Sequence, residues 1–232
     1  MTHVRLIESS SAQLRLEQAR AFVQAHAAHG DVWIVAAARG AADDLVRTIA
    51  LEAGATVGLH RFSLTQLALR LAAPVLVALE RAPATFLGSE AVAARATFDA
   101  LTDGDLTYFE PVARTPGFPR ALARTVFELR LAGVAPDALA ALPLGGRDLS
   151  ALLQGFEAQF ASASAIDRAD LLTAATRALT DGSALHDLAP APVLLLDLPI
   201  DSQTELDFIR ALVEWAGGTR HLITVPFGIS LR

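Results

Sequence analysis

The chain has 232 residues, 53% of them hydrophobic, a net charge of −6 and no cysteine. That length holds one large or two small domains with ample core, and the missing thiols exclude disulfides, thiolate zinc sites and cysteine nucleophiles. The acidic balance argues against whole-molecule attraction to nucleic acid, but it leaves room for a local arginine-lined groove.

Mean hydropathy is high at +0.40, yet no apolar run approaches the roughly 20 residues that span a bilayer. The start, Met1-Thr2-His3-Val4-Arg5, lacks a secretory hydrophobic region, so the chain reads as cytoplasmic with no membrane partner. All 19 Lys-plus-Arg residues are arginine.

Residues 3–8 read as a first strand. Ser9-Ser10-Ser11 then offers N-cap chemistry for a helix from Ala12 to Ala28, with Leu14, Ala21 and Ala25 among its apolar positions. Asp31–Ala36 reads as a second strand and Gly40–Ala53 as a second helix, stopped by Gly54. Thr56–Arg61 reads as a third, shorter strand, and Ser63 caps a helix through Leu71. This βαβαβα alternation predicts a parallel sheet.

From Pro74 to about Asp187 the pattern changes to helices at Glu90–Leu101, Phe118–Ala132, Leu149–Ala161 and Asp167–Leu179, with no strand evident. Turn signals such as Asp103-Gly104, Thr115-Pro116-Gly117 and Leu144-Gly145-Gly146 separate them. The α/β pattern returns with a strand at Val193–Asp197, a helix at Ser202–Ala216 closed by Gly217-Gly218, and a strand at Arg220–Val225. The expected organisation is an α/β domain from residues 1–73 and 188–232, interrupted by an all-helical insertion over 74–187.

Two places carry candidate chemistry in the sheet domain. The turn Glu8-Ser9-Ser10-Ser11-Ala12-Gln13-Leu14-Arg15 stands where a phosphate loop would stand. A working loop, GxxxxGK[ST], needs glycines so that backbone N–H groups cradle phosphate, and a lysine to neutralise it. This turn has neither. A plain capped helix start is the simpler account, and weak anion binding through Ser9, Ser10, Ser11 and Arg15 is the alternative. Asp197 ends the apolar run from Pro192, the form of a buried strand that delivers a carboxylate to the sheet's carboxyl edge, where nucleotide-binding proteins hold Mg²⁺. Without a phosphate loop opposite, Asp197 is more simply a capping or turn-closing carboxylate.

In the insertion, Arg114, Arg120, Arg124 and Arg130 are clustered in one short segment and could track a phosphate backbone; a solvated helix face with Glu128 as charge partner is the plainer account. His26 and His29, three apart near a helix end, fit dipole stabilisation better than metal ligation. No catalytic residue, cofactor or metal site is assigned.

The run Thr115-Pro-Gly-Phe-Pro-Arg-Ala-Leu-Ala-Arg-Thr125, followed by Glu128-Leu-Arg-Leu-Ala-Gly-Val134, resembles the N-terminal region of bacterial helicase–nuclease subunits of the AddB/RexB type. These are PD-(D/E)XK nuclease family proteins with a superfamily-1 helicase-like front. Residues 33–47 and 59–68 are similar to the strand–helix steps after the first helicase motif, and 193–197 occupy the place of the Walker B strand. The resemblance implies a RecA-like helicase domain with a helical insertion, the 1A and 1B arrangement. It also implies DNA double-strand-break processing beside an active helicase partner of the AddA type.

The empty Walker A positions imply no ATP hydrolysis by this segment. The nuclease site of such proteins lies far toward the C-terminus and uses an essential lysine, so the chain is expected to be the front of a longer protein. The expected partners are a single strand or duplex end of DNA and the helicase subunit, with Arg114, Arg120, Arg124 and Arg130 as leading DNA contacts. Arg39 and His60, expected near the carboxyl ends of the second and third strands, are further candidates. Two other readings stay open: a nucleotide hydrolase using Asp197 with a non-standard phosphate loop, and a protein-interaction module docking through the insertion.

Overall fold

The computed structural model describes residues 3–53, 55–183, 189–217 and 220–228. Gly54, Gly218, the start Met1-Thr2 and the expected 187/188 boundary lie outside them. The elements run β1 (His3–Ser9), α1 (Ala12–Ala27), β2 (Val32–Ala36), α2 (Arg39–Ala53), β3 (Leu59–Ser63) and α3 (Leu64–Ala78). Then come β4 (Ala82–Pro83), α4 (Phe86–Asp103), α5 (Glu110–Ala113), α6 (Phe118–Leu131), α7 (Pro136–Ala140), α8 (Gly146–Ser162), β5 (Ala165–Ile166) and α9 (Arg168–Thr180). The last are β6 (Val193–Leu196), α10 (Gln203–Trp215) and β7 (Arg220–Pro226). Contacts divide the chain into two compact units, residues 1–74, 174–201 and 205–232 in one, and 75–173 with 202–204 in the other.

The first unit is a five-stranded sheet of order β1-β7-β6-β2-β3 in which every pairing is parallel. An α/β fold with a parallel sheet is therefore what the alternating sequence forms. β2 and β6 are buried along their whole length, which is why they read as unbroken apolar runs rather than alternating ones. One face packs Ala19 and Val23 of α1 and Leu45, Val46 and Ile49 of α2 against Ile34, Leu194 and Leu222. β1 is an edge strand, and its Val4 and Leu6 are about half exposed.

Four sequence expectations need correction in this unit and at its boundary. The buried stripe of α1 is Arg15, Ala19 and Val23, while Leu14, Ala21 and Ala25 are exposed; an arginine heads the inward face. The third strand starts at Leu59 rather than Thr56, because Gly58 turns the chain at φ +77 and a Cβ there would lie 2.7 Å from Asp31 Oδ1. α3 passes its expected end at Leu71 and runs to Ala78 with Pro74 inside it, at the cost of one backbone hydrogen bond. Ser63 does cap it: its Oγ accepts from Gln66 N–H at 3.2 Å, and Gln66 Oε1 accepts from Ser63 N–H at 3.0 Å, a reciprocal capping box. Finally, the stretch expected to lack strands contains the short parallel pair β4–β5, with Ala82 N–H donating to Ser164 O at 3.0 Å and Ala84 N–H to Ile166 O at 2.8 Å.

The second unit packs α4, α6 and α8 around Leu122, Val126, Leu152, Leu153, Phe156 and Phe160. Its key turn is glycine-dependent: a Cβ on Gly146 would meet Leu139 O at 2.4 Å. That turn seats the buried Asp148, whose carboxylate accepts from the N–H groups of Thr107, Tyr108 and Phe109 at 2.8–2.9 Å. Among the described residues no helix is long and apolar enough to cross a membrane.

Burial of His221 under the sheet holds its imidazole below the usual range. Its Nδ1 also accepts from Val193 N–H at 3.3 Å, a bond that a proton on Nδ1 would break. The unfolded chain then takes up that proton first, so this contribution to stability is complete above about pH 6.5 and is lost as pH falls through the depressed native value. Urea unfolding between pH 8 and pH 5 is expected to show an acid-limb loss of stability that is smaller in His221→Gln.

Candidate functional site

The turn after β1 is built from hydroxyls. Ser11 is the N-cap of α1, its Oγ accepting from Leu14 N–H at 3.2 Å, and Ser9 Oγ accepts from Ser11 N–H at 3.1 Å. Backbone donors that a phosphate would need are thus already taken by Ser9 and Ser11, while Ser10 is exposed beside them.

Arg15, on the first turn of α1, points inward and reaches the carboxyl end of β6. Its Nε donates to Asp197 Oδ1 at 2.9 Å, and another guanidinium nitrogen donates to Ser9 O. The Arg15 side chain is 7% exposed and that of Asp197 28%. Thr224 on β7, the strand between, completes the group: its hydroxyl donates to Asp197 Oδ1 at 2.8 Å and accepts from Asp197 N–H at 3.0 Å. Asp197 itself has φ +45, a left-handed conformation that Asp tolerates better than most residues.

The arrangement ties β1, β6 and β7 together at one edge through a charge-assisted network. It does not fit Mg²⁺-nucleotide. A second cation about 4 Å from the guanidinium would meet roughly 4 kcal/mol of repulsion per unit charge at an effective dielectric of 20. No lysine or glycine-rich loop is present to repay it. Among the described residues no cluster of His, Asp and Glu could hold a metal ion. His26 and His29 instead donate from Nδ1 to the carbonyls of Phe22 and Ala25 at 2.7 and 3.1 Å, closing the last turn of α1.

The candidate DNA-contacting residues sort into three environments. Arg39 and His60 line one groove of about 510 Å³ along the β3 edge, together with Arg61, Arg70 and Phe62. His60 does not sit at the carboxyl end of its strand: the late start of β3 leaves it at the amino end, with Nε2 3.3 Å from Asp31 Oδ2. Arg39 follows β2 as expected, and its Nε is 3.7 Å from Asp43 Oδ2. The residue that sequence reasoning missed is Arg61, whose Nε lies 3.5 Å from the other Asp43 oxygen. Its place in a strand gave no sign of a shared groove.

Arg120 and Arg124 share the exposed face of α6, at 78% and 79% side-chain exposure, each near a single carboxylate, Glu90 and Glu128. Arg114 is exposed after α5. Arg130 does not belong with them. Its side chain is 12% exposed and is clasped by Glu157, Asp167 and Asp170, the last at 2.7 Å. Asp167 and Asp170 outweigh burial and, with Glu157, raise the Arg130 pKa further, whereas burial pushes Asp170 up despite Arg130. Arg130 therefore joins α6, α8 and the start of α9 and is not available to a phosphate.

These features define a parallel α/β protein with an internally neutralised sheet edge. Comparison with known protein families and with curated protein sequences finds no match to this chain.

A double-mutant cycle with Arg15→Gln and Asp197→Asn, read by chemical unfolding, is expected to give a coupling of about 1.5–3 kcal/mol, the range for hydrogen bonds to charged groups. Arg130→Met is expected to cost about 3–5 kcal/mol, because three carboxylates lose their cation. Their mutual repulsion then raises their native pKa values, so the variant, unlike the parent, gains stability as pH falls from 7 toward 5.

Proposed function

We propose that this chain is a RecA-like domain that does not hydrolyse nucleotide. In this reading it serves as a DNA-binding and subunit scaffold in a helicase–nuclease that processes DNA double-strand breaks. The observation that carries the reading is the Arg15–Asp197 ion pair. In a nucleotide-binding parallel sheet, the turn after the first strand cradles phosphate and a strand-terminal carboxylate holds Mg²⁺ at the same edge. Here those two positions are joined directly to each other, with the Thr224 hydroxyl of β7 fixing Asp197. A protein side chain thus takes over the cohesion that a bound ligand would supply.

Support for DNA as a partner is the β3-edge groove, where Arg39, Arg61 and Arg70 stand beside His60 and the aromatic Phe62, together with Arg120 and Arg124 on α6. Basic side chains interleaved with an aromatic ring suit a single strand, whose bases stack while its phosphates are neutralised. A second reading, a helicase-docking module, is favoured by large apolar side chains exposed on the helical unit: Phe98 at 60%, Tyr108 at 52% and Leu144 at 80%. Exposed hydrophobes of this size mark partner surfaces when they are contiguous.

Calorimetry with Mg²⁺-ATP is expected to show no saturable binding; magnesium-dependent binding abolished by Asp197→Asn would instead establish a nucleotide hydrolase. Single-stranded DNA is expected to bind with an affinity that falls steeply with salt. Combining Arg120→Ala with Arg124→Ala should reduce the slope of log K against log salt by about 1.4, at roughly 0.7 per phosphate contact. A slope and affinity unchanged by that pair would remove α6 from the interface. No DNA affinity at low salt, together with a stable complex with a partner helicase, would select the docking module.

A further inference from the structure

The opposite, amino-terminal edge of the sheet holds a second concave surface. The starts of β1 and β7 and the second half of α1 enclose a groove of about 400 Å³. Register places His3 beside Arg220 and Arg5 beside Leu222. Side chains alternate along a strand, and Ile7 and Leu222 pack into the core under α1. His3 and Arg5 share the face of Ile7, and Arg220 shares that of Leu222, so two guanidinium groups and an imidazole converge on the α1 side.

The electrostatics of this groove differ from those of the other basic surfaces. Among the described residues, no Asp or Glu lines it. Arg39, Arg61, Arg120 and Arg124 each have a carboxylate within 4 Å. Arg5 and Arg220, by contrast, form no ion pair among the described residues. Two arginines thus stand together without a carboxylate partner in a concavity, an arrangement that attracts an anion to both. The wall opposite, from α1, carries Ala21, Ala25 and an aromatic pair. His26 and Phe22 stack with ring centroids 4.4 Å apart at 39°, and the His26 Nδ1–H bond to Phe22 O fixes the imidazole and leaves its Nε2 free of that bond.

We infer that this groove binds a phosphomonoester carried on a flat aromatic body, with Arg5 and Arg220 on the phosphate and the Phe22–His26 pair against the ring. The guanidinium fork matches phosphate geometry in a way a point charge does not. An aromatic face with adjacent cations suits a base, and the volume lies within the range of small-molecule sites. A free nucleoside monophosphate and the 5′-phosphorylated end of a DNA strand present the same chemistry. The site needs no Mg²⁺ and shares no residue with the Arg15–Asp197 network, so it stands whether or not the scaffold reading does.

The test is calorimetry on the full chain in magnesium-free buffer at low salt, with dAMP, inorganic phosphate, and a short single strand with and without a 5′-phosphate. Saturable binding of dAMP, or of the phosphorylated strand in preference to the unphosphorylated one, is expected. Whichever of the two binds more tightly identifies the source. Combining Arg5→Gln with Arg220→Gln, both exposed and so compatible with an intact fold by circular dichroism, should weaken binding at least about 10-fold. Arg47→Ala, on the exposed face of α2 and outside both grooves, should leave it unchanged. Absence of saturable binding, or affinity indifferent to the Arg5/Arg220 pair, would overturn the site. Inorganic phosphate binding as tightly as dAMP would overturn the aromatic half of the inference.

Discussion

A single ion pair organises the carboxyl edge of this sheet. Arg15 leaves the first turn of α1 and reaches Asp197 at the end of β6, passing the Thr224 hydroxyl on β7. Parallel strands joined by crossovers bring their carboxyl ends to one edge, where polar groups gather with little local pairing. Such an edge needs something to neutralise it. A metal–nucleotide is one solution; a buried arginine held by a backbone carbonyl and by a carboxylate that a neighbouring hydroxyl fixes is another. The second has a defined consequence: the carboxylate is already committed, and its guanidinium partner repels any further cation.

The same chemistry recurs in the helical unit. Arg130 on α6 gathers Glu157 of α8, Asp170 of α9 and Asp167 just ahead of α9, and the buried Asp148 gathers three consecutive N–H groups. Pairs of this kind contribute little net stability relative to apolar packing, but they are costly to break from one side. They act less as a source of energy than as a constraint on which packing is allowed. The arginines left on the surface differ in kind. They are screened and flexible, and they are matched by at most one nearby carboxylate, which makes them available to a ligand.

Much of the architecture was legible along the chain. β2 and β6 are apolar enough to announce burial on both faces, and Ser63 and Ser11 mark helix starts that the structure realises as caps. The helices at 118–131 and 168–180 fall within a residue or two of their expected ends. The errors have local causes. Gly58 takes a left-handed conformation that delays β3 and moves His60 to the wrong end of its strand. Pro74 is tolerated inside α3, although a proline ordinarily ends a helix. The stripe of α1 was misjudged because its inward position at residue 15 is charged, and a hydrophobic period cannot register an arginine that is buried by virtue of its partner.

The sequence by itself determined the alternation of strands and helices, the absence of a phosphate loop and the places where basic residues collect along the chain, because these depend on neighbours within a few residues. It could not say which arginines are spent and which are free. That depends on carboxylates far away in sequence, brought near by the parallel sheet and by helix packing: Asp197 for Arg15, and Glu157, Asp167 and Asp170 for Arg130. Arg130 and Arg124 look alike in the chain and are opposites in the fold. Charge compensation acts through space at a few ångströms, so only the tertiary structure could decide it.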